Sequence, residues 1–589
     1  MTRIGRIFTD FKICFHLLYP CHPCAILIAF LLTFFNSNAQ QQHPKDFFRS
    51  PLDIPLFLSG NFGEIRSNHF HSGLDLKTQG VENKPVFAPA DGYVSRIKIQ
   101  SGGYGKALYV THANGYTTVY GHLNAYTDSI ANYLKAEQYK KESFEIELFP
   151  DSNLFSVKKG DVIAYTGNTG SSGGPHLHFE IRDTKTENVY NPLFFGFDVK
   201  DKTPPAISSL AVYSFDENAR KGPQNRKLYT VTKTDGKYVV NGGKPLPASG
   251  ITGLGLEVYD QLDGADNKNG AYSIELLKDS SRIYFHAIDE MQFHLTRFIN
   301  SHIDYAEKKQ NSNTIQKSFV EPGNQLKIYE TKISAGKTLI EEGKKYNFRY
   351  SVKDVAGNAS ILEFTMEGTK PLPPLLPDSI AAKIFYFDSV NTFKATGMEL
   401  QMPDFALYRD IDFMYSSKNK TKLTYSAVHN IHRNTEPLQR DYTLSITPDS
   451  VPENIKDKLL IVSFNSNNNP VSEGGKYENG SVSTKTKSFG TFAVMADTTK
   501  PKITPVNITR DGDLSAAKTI KVKISDNLSG IAYYRGSIDG KWVLMEYDAK
   551  NSLLTYTFDY TVPKGKRWFQ LTVSDGKQNS TRYEAHFHR

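Results

Sequence analysis

The sequence predicts a mostly β protein. Tyr and Phe are abundant, with 33 and 37 copies in 589 residues, whereas there are only two Trp and three Cys. Gly, Asn and Asp punctuate short runs of alternating polar and apolar residues along the chain, which is typical of strands joined by turns. At about 150 residues per domain, the length indicates about three or four domains. We expect an N-terminal antiparallel β domain with one helical insertion, followed by three further β domains.

Residues 1–39 are predicted to be a cleaved export signal. Basic residues precede an apolar run from Ala25 to Phe35, and small residues at Ser37 and Ala39 fit the cleavage pattern of a secretory signal peptide. The alternative is an uncleaved membrane anchor, but the apolar run is shorter than the ~20 residues that a spanning helix needs. We therefore expect an exported protein of the periplasm or cell envelope, with extracellular release left open. The mature chain should contain no integral membrane span.

All three cysteines, Cys14, Cys21 and Cys24, belong to this signal segment. The mature chain would therefore lack disulfides and a lipid-attachment cysteine, and any metal site in it must use nitrogen and oxygen ligands. Without the segment the formal charge falls from +8 to +6. No basic patch is clustered as in nucleic-acid-binding proteins, so we expect no nucleic-acid partner. The mild positive charge suits loose attraction to an anionic envelope polymer.

The first domain is predicted at residues 40–200. Turn signals such as Asp91-Gly92 and Asn114-Gly115 divide it into strands. We expect these strands at Pro85–Ala88, Gly92–Ile99, Ala107–His112, Thr117–Tyr120 and Asp161–Thr166. One segment breaks the pattern, with a predicted helix at Asp128–Lys141 followed by a strand at Phe144–Phe149. This helix either covers a cleft or packs on the sheet edge, and the sequence does not decide between the two.

Two short motifs in this domain carry chemistry: His71-Ser-Gly-Leu-Asp75 and Pro175-His-Leu-His-Phe-Glu180. Successive side chains of a strand point to opposite faces, so both histidines and the glutamate of the second motif share one face. The ends of the first motif are four residues apart and can also point the same way on an extended segment. Two such strands side by side would place a His/Asp pair opposite a His/His pair. The motifs therefore predict a metal site with catalytic groups beside it.

The domain resembles the lysostaphin/LytM-type zinc metallopeptidases, bacterial enzymes that cut peptide cross-links in peptidoglycan. Six blocks occur in that family's order: H-S-G-L-D at 71–75, P-V-F-A-P-A-D-G-Y-V at 85–94, G-G-Y-G at 102–105, N-G-Y-T-T-V-Y-G-H-L at 114–123, V-K-K-G-D-V-I-A at 157–164 and T-G-N-T-G-S-S-G-G-P-H-L-H-F-E at 166–180. The resemblance covers little more than a quarter of the chain. The segment 124–156 is longer than the family's short connection, which leaves substrate specificity open.

The resemblance implies a zinc endopeptidase with one Zn²⁺ in its catalytic domain, bound by His71, Asp75 and His178. The family's two catalytic histidines fall on His122 and His176, and the sequence does not separate the general base from the oxyanion donor. Zinc lowers the pKa of bound water and histidine suits proton transfer near neutral pH, so the implied reaction is hydrolysis of a peptide bond. The implied partner is peptidoglycan, as cross-links or stem peptides.

A second hypothesis is a non-catalytic or autoinhibited LytM-domain protein that binds the cell wall or regulates other wall hydrolases. Degenerate members of the family lose zinc ligands, whereas this chain retains all three together with both histidines. The sequence therefore favours the enzyme. The C-terminal β domains show no catalytic constellation and are expected to act as spacers, wall-binding modules or docking surfaces for envelope proteins.

Other residues near the motifs have plainer interpretations. His69 would share the face of His71 but is expected to be structural. Glu180 either orients a histidine or is a solvated strand carboxylate, and both readings stay open. Residues 170–174 match G-x-S-x-G, but that nucleophile motif requires a following helix, and an alternating β pattern follows here. We expect tight turns at these glycines.

An internal repeat begins after residue 200. Asp201-Lys-Thr-Pro-Pro-Ala-Ile207 resembles Asp497-Thr-Thr-Lys-Pro-Lys-Ile503, and each opening is followed by a strand that ends in an aspartate, Asp260 or Asp526. Each unit closes on V-x-D-x-x-x-N, at residues 352–358 and 573–579. The repeat predicts immunoglobulin-like β-sandwiches at 201–370 and 497–589, the first with an insertion around 278–340. A further β domain is expected at 373–496.

One acidic turn in the first repeat unit resembles a calcium site only superficially. Asp260, Asp263 and Asp266 are spaced by three, which does not match the alternate-position ligands of an EF-hand loop. We predict a solvated hairpin turn there.

Overall fold

The computed structural model describes residues 43–216, 220–330, 333–370, 382–559 and 561–589. The predicted export signal lies outside these residues. The unit from Lys45 to Arg589 is mostly β, as the sequence predicts, with several separate sheets. No helix within the described ranges has the length and apolar character that a membrane crossing requires.

A large antiparallel sheet contains the N-terminal motifs. From edge to edge its main strands are Leu58–Gly60, Leu74–Lys77, His176–Asp183, Tyr116–Gly121, Lys106–His112, Gly92–Ile99 and Ile146–Leu148. Shorter strands lie beside it or in two small sheets: Ser156–Val157, Val189–Tyr190, Pro85–Phe87, Val162–Tyr165, Ala125–Tyr126, Ile65–Arg66 and His69–Phe70. The observed strands match the predicted ones to within about two residues at each end. Alternating apolar side chains such as Leu108 and Val110 are completely buried beneath the sheet.

The predicted helix spans Asp128–Lys141. Asp128 in its first turn and two lysines in its last turn complement the helix dipole. Ile130, Leu134 and Gln138 recur every four residues and are its buried face. Because Ile130 and Leu134 belong to the core beneath the sheet, the helix packs on the sheet.

The second region is built on one mixed sheet. Its strands run in the order Ser281–Ala287, Ser273–Lys278, Lys345–Lys353, Ala359–Gly368, Lys237–Val240, Asn225–Thr234, Ala206–Ser214, Gly250–Tyr259 and Ile315–Lys317, with Leu246–Ala248 and Thr338–Ile340 at its sides. The predicted insertion contains the strand Glu290–Met291 and the helices Phe293–Phe298, Ile299–His302 and Tyr305–Asn311, and short 3-10 segments lie at Asn241–Gly243 and Ile333–Gly336. The apolar residues of the second region and those of the first sheet form one continuous core.

The third region has a core of its own between two five-stranded sheets. One sheet contains Asn391–Ala395, Met398–Met402, Pro437–Ile446, Ser481–Ser488 and Lys476–Glu478, and the other contains Tyr415–Lys418, Val428–Ile431, Gly490–Ala496, Leu459–Phe464 and Pro470–Gly474. A ribbon of Lys383–Phe385 with Ile411–Phe413 and a 3-10 turn at Glu453–Lys458 complete it.

The last region again encloses one core between two sheets. The first sheet contains Lys502–Pro505, Thr519–Ser525, Leu553–Thr557 and Met545–Asp548, and the second contains Gly512–Asp513, Ser580–His588, Lys566–Asp575, Ile531–Ile538 and Lys541–Trp542. A 3-10 turn spans Ala549–Asn551. The domain boundaries drawn from the sequence stay a prediction.

The two repeat units close with the same hydrogen bonds. Asp354 accepts from the backbone and side-chain nitrogens of Asn358 at 2.9 and 2.8 Å. Asp575 accepts from the same two groups of Asn579 at 2.9 and 2.7 Å. Each asparagine side chain also donates to the carbonyl of the aspartate that opens its unit, at 3.3 Å in the first unit and 2.9 Å in the second.

Two sets of contacts join the first region to later parts of the chain. The short strand Val189–Tyr190 pairs with Glu290–Met291, so the first sheet continues into the second region. The C-terminal region contacts the outer side of the helix, where Trp542 meets Tyr139 edge to face with ring centroids 5.1 Å apart. The Tyr139 hydroxyl also donates to Asp559 at 3.0 Å.

Candidate metal centre and active-site cleft

Three buried side chains converge where the strands Leu74–Lys77 and His176–Asp183 lie side by side. His178 is directly opposite Asp75 in the strand pairing, and His71 precedes the first strand. Oδ1 of Asp75 lies 3.0 Å from Nε2 of His71 and 3.0 Å from Nδ1 of His178, and the two nitrogens are 3.1 Å apart. In a tetrahedral zinc site with bonds of 2.0–2.1 Å, ligand atoms lie about 3.3 Å apart. The triangle therefore has the size and donor chemistry of a single zinc site.

Neighbouring groups fix which atoms of His71 and Asp75 face this centre. Nδ1–H of His71 donates to the carbonyl of Asn61 at 2.7 Å, so Nε2 carries the free lone pair. Oδ2 of Asp75 accepts from the guanidinium of Arg66 at 3.1 Å. Oδ1 is thereby left as the metal-facing oxygen.

A buried carboxylate orients His178. Its Nε2–H donates to Oε1 of Glu180 at 2.8 Å, and Glu180 is completely buried. Oε1 also accepts from the hydroxyls of Ser72 and Tyr104, and Oε2 accepts from Nε of Arg182 at 2.7 Å. Glu180 is therefore not solvated, and the first of its two sequence interpretations describes it. A carboxylate on the far nitrogen of a ligand histidine fixes the tautomer and ring orientation.

The charges of the centre are strongly coupled. Burial opposes the charge of Asp75, but His71, His176 and His178 outweigh it and hold the pKa of Asp75 well below its usual range. Burial likewise opposes protonation of His178, yet Asp75 and Glu180 raise its pKa to about 9. Without a metal His178 therefore holds a proton at neutral pH, and a metal must displace that proton to bind.

His122 follows the strand Tyr116–Gly121 in a left-handed conformation, with φ of 59°. Such a conformation costs about 1–3 kcal/mol in a residue other than glycine and is often found at functional sites. Its Nδ1–H donates to the carbonyl of Thr169 at 2.8 Å, which leaves Nε2 as a free acceptor. Burial, together with the electrostatic influence of the neighbouring imidazoles of His178 and His176, lowers the pKa of His122 to about 3, so the ring is neutral near pH 7.

His176 lies beside His122, with ring centroids 4.7 Å apart. Its Nε2 is 3.3 Å from Oδ1 of Asp75, and its Nδ1 is 2.9 Å from the carbonyl of Gly174. The hydroxyl of Ser172 is near the same Nδ1 but donates to the Gly174 carbonyl at 2.7 Å. A strand follows it, so the strand–turn–helix setting of a serine nucleophile is missing at this serine.

Two glycine turns set the position of the Thr169 carbonyl beneath His122. Gly105 and Gly170 have φ of 63° and 69°, conformations that other residues adopt only with strain. A Cβ on Gly170 would lie 2.3 Å from the backbone nitrogen of Gly105, so the loops pack backbone against backbone. Gly170 forms one of the tight turns that the sequence predicts at residues 170–174.

The three side chains of the metal centre and the two neighbouring histidines line a cavity of about 520 Å³, which the second region closes on one side. The wall segment, residues 291–296, contributes Met291, Gln292, Phe293 and Thr296 to the lining. Thr296 Oγ1 accepts from the backbone nitrogen of Phe70 at 2.8 Å, and the Phe293 ring lies 4.4 Å from the guanidinium of Arg182. Residues 124–156, all of them described, do not line the cavity.

The structure brings all five sequence-predicted site residues into this cleft: His71, Asp75, His122, His176 and His178. His69 lines the same cavity outside the triangle, and its Nδ1 is 2.8 Å from the carbonyl of Ser67. Sequence reasoning missed Arg66 and the wall segment. Arg66 is missed because its salt bridge to Asp75 forms only in the folded chain. The wall segment is missed because it contacts the cleft from a part of the chain more than 200 residues away, as in the hydrogen bond from Phe70 to Thr296.

The chain matches the model of peptidase family M23 at residues 69–139 and 154–192, which enclose every residue of the centre. A protein of Haemophilus influenzae named an uncharacterized metalloprotease is 35% identical over 143 residues, which are 23% of this chain and 25% of that protein. The DD-carboxypeptidase/endopeptidase Mpg of Neisseria meningitidis is 36% identical over 112 residues, 19% of this chain and 20% of Mpg. The chain therefore spans only a quarter or less of these relatives' own lengths.

A shorter relative is covered almost completely. The lipoprotein NlpD of Yersinia enterocolitica is 33% identical over 114 residues, which are 19% of this chain but 91% of the NlpD sequence. The chain belongs to peptidase family M23. The M23 match is interrupted between residues 139 and 154, where the helix ends and the longer connection follows. The third region matches a different model, the Zu5-like domain, at residues 382–497.

Proposed function

We propose that this M23 protein is an exported zinc metalloendopeptidase that hydrolyses peptide cross-links or stem peptides of peptidoglycan. The observation that carries the proposal is the triangle of His71, Asp75 and His178 with two further histidines beside it. Support for endopeptidase activity comes from the name of Mpg, and support for the substrate comes from a further relative, named the peptidoglycan DD-endopeptidase ShyC of Vibrio cholerae. Support for export comes only from the sequence of residues 1–39.

His71 Nε2, Asp75 Oδ1 and His178 Nδ1 would hold the zinc ion. Two imidazoles and a carboxylate are an established catalytic donor set that leaves one position open for water. When bound, zinc makes hydroxide available near neutral pH and polarises the scissile carbonyl. Arg66 and Glu180 hold the ligands in place, so little reorganisation is needed on binding.

His122 and His176 would serve the proton transfers. The Nδ1 of each ring is directed at a backbone carbonyl, Thr169 for His122 and Gly174 for His176. This leaves Nε2 of His122 for the substrate side of the cleft, whereas Nε2 of His176 lies 3.3 Å from Oδ1 of Asp75, beside the metal position. A neutral imidazole can accept the proton of the attacking water, and a protonated one can donate to the oxyanion of the tetrahedral intermediate. We assign the two roles to the pair jointly.

The test is digestion of purified peptidoglycan by the zinc-loaded chain, with released fragments identified by mass spectrometry. We expect cross-linked fragments to be converted to monomers or shortened stem peptides. His122→Ala should keep its zinc and lose most turnover, whereas His178→Ala should lose zinc and turnover together. Activity that survives in metal-free His178→Ala would overturn the mechanism, and loss of zinc in His122→Ala would overturn the ligand assignment.

The wall segment favours a second candidate, an M23 protein held inactive by its own second region. Met291 and Phe293 narrow the cleft from a part of the chain outside the M23 match. A zinc-loaded protein that binds peptidoglycan in a pelleting assay but releases no fragments would support this candidate. Release of fragments after Phe293→Ala alone would then identify the wall as the inhibitor.

A further inference from the structure

Three aspartates meet at one end of the second region. Each of Asp201, Asp260 and Asp354 offers a carboxylate oxygen, and these oxygens lie within 4.8 Å of one another. They come from three separate segments: the entry to the region, the end of the strand Gly250–Tyr259 and the turn after Lys345–Lys353. The cluster therefore depends on the fold and not on a local acidic sequence.

Asp260 is the unusual member of this cluster. It is only 2% exposed, so the prediction of a solvated turn is wrong for this residue, although Asp266 is exposed as expected. Its Oδ1 has no hydrogen-bond partner. In the described part of the chain, no lysine or arginine forms an ion pair with any of the three carboxylates. A buried carboxylate oxygen without a partner costs free energy that a bound cation would recover.

The remaining contacts of the cluster hold the carboxylates in place without neutralising them. Asp201 accepts from the backbone nitrogen of Thr203 at 3.1 Å, and Asp354 accepts from the backbone and side-chain nitrogens of Asn358. The side chains of Asp201 and Asp354 are also close enough to share a hydrogen bond. Burial and the neighbouring carboxylates of Asp201 and Asp354 raise the pKa of Asp260 to about 8. Three carboxyl groups are thus held together with no positive charge between them.

We propose that Asp201, Asp260 and Asp354 bind a calcium ion. Oxygen-only donors select a hard cation, and Ca²⁺ takes six to eight oxygen ligands at 2.3–2.6 Å, so its ligand atoms lie at most about 5 Å apart. The oxygens of this cluster meet that limit, and backbone carbonyls or water would complete the shell. The proposal does not depend on the hydrolytic function.

The last region repeats the arrangement. Carboxylate oxygens of Asp497, Asp526 and Asp575 also lie within 4.8 Å of one another, and Oδ1 of Asp526 also lacks a partner. Oδ2 of Asp526 is satisfied by the backbone nitrogens of Leu528 and Gly530, at 3.1 and 2.8 Å. The second cluster is therefore better satisfied by the protein itself than the first, and it serves as an internal comparison.

A calcium ion at the first cluster would tie the chain where it enters the second region. Asp201 precedes the first strand there, Ala206–Ser214, and follows the last residues of the M23 match at 192. The ion would fix this connection to two loops of the second region. It would thereby stiffen the joint between the cleft and the region that supplies its wall.

The test is calorimetric titration of the full zinc-loaded chain with CaCl₂ at pH 7.5, compared with Asp260→Asn. We expect Asp260→Asn to lose one binding event relative to the unchanged protein. Asp266→Asn, a matched exposed aspartate in the same turn, should keep it, and Asp526→Asn shows whether a further event belongs to the last region. Equal Ca²⁺ binding by the unchanged protein and Asp260→Asn overturns the proposal.

Thermal unfolding separates binding from a folding defect. Without Ca²⁺, Asp260→Asn should unfold at a temperature equal to or above that of the unchanged chain, because the substitution removes a buried carboxyl group with an unpartnered oxygen beside two other carboxyl groups. Added Ca²⁺ should raise the unfolding temperature of the unchanged chain and raise that of Asp260→Asn less. No response of the unchanged chain up to millimolar Ca²⁺, or a response to Mg²⁺ alone, overturns the assignment of calcium.

Discussion

At the scale of single residues, the metal centre depends on side chains that do not touch the metal position. Glu180 accepts a hydrogen bond from His178 and forms an ion pair with Arg182, and all three side chains are buried. Glu180 does not contact the metal position, yet its hydrogen bond to Nε2 of His178 sets the tautomer that directs Nδ1 toward Asp75. A change at Glu180 should alter metal affinity and stability at once.

We predict that Glu180→Gln weakens zinc binding about 10–100-fold, because the amide no longer fixes the His178 tautomer as a carboxylate does. It should also lower the free energy of unfolding by about 3–5 kcal/mol, because Arg182 is left buried without its partner. Chelator competition measures the affinity and urea unfolding measures the stability. Glu187→Gln is the control, since Glu187 lies 3.8 Å from Arg182 but its side chain is 62% exposed. Unchanged zinc affinity in Glu180→Gln would contradict the orienting role.

The sequence identifies the proposed ligands but not the charge state of their surroundings. An alternating pattern places Glu180 on the face of His176 and His178, yet it reads the same for a solvated carboxylate and for a buried one. The difference is made by Arg182 two residues further along the same face and by Tyr104 from the turn before the strand Lys106–His112. Such pairing is a tertiary property, so the sequence leaves both readings open.

At the scale of elements, local periodicity predicts well where a strand or helix begins and ends, but it predicts poorly which other elements it packs against. The strand Gly92–Ile99 and the helix Asp128–Lys141 have the predicted ends. Their surroundings depend on packing, and the helix packs on the sheet while its outer side contacts Trp542. The sequence left open that the helix Asp128–Lys141 covers the cleft, but in the structure the wall segment lies beside the cleft instead.

We predict that Phe293→Ala widens the cleft and changes which substrates are cut. Cleavage of intact peptidoglycan relative to small soluble cross-linked fragments should rise several-fold, because the bulky substrate meets the wall and the small one does not. Rates on both substrates, measured with one enzyme preparation, give this ratio. Leu339→Ala is the control, an exposed apolar residue of the same region that does not line the cavity. An unchanged ratio would show that the wall does not select substrates.

At the scale of the whole molecule, a buried ion network joins the second and third regions. Glu321 is 4% exposed and accepts from Lys317 at 2.8 Å and from Arg409 of the third region. Arg409 also pairs with Glu436 at 2.8 Å. The backbone nitrogen of Gly323 donates to the carbonyl of Tyr408 at 2.8 Å, so the two regions also meet through their backbones.

We predict that this joint weakens in acid. Burial opposes the charge of Glu321, but Arg409 and Lys317 outweigh it and lower its pKa to about 2. A carboxyl whose pKa is lower in the folded than in the unfolded state stabilises the fold above the unfolded pKa of about 4.3. That stability, about 3 kcal/mol, should be lost as pH falls from about 4.3 to about 2.

Urea unfolding at pH 5, 4 and 3 measures this loss. Glu321→Gln should be less stable at pH 5 and should show a flatter pH dependence than the unchanged chain. Glu341→Gln is the control, because Glu341 is exposed and its pair with Lys344 is screened by solvent. If the free energy of unfolding falls with pH equally in Glu321→Gln and in the unchanged chain, a group other than Glu321 causes the acid sensitivity.

The pairing of Val189–Tyr190 with Glu290–Met291 has a practical consequence for anyone who expresses the first region alone. A chain cut at residue 200 would remove the partner Glu290–Met291 and leave this strand with unpaired backbone N–H and C=O groups at an edge built from two buried apolar residues, Val189 and Tyr190 at 1% and 7% exposure. Open edges of this kind recruit strands from other molecules and lead to aggregation. Poor solubility of such a fragment would therefore reflect a missing neighbour and not a misfolded enzyme.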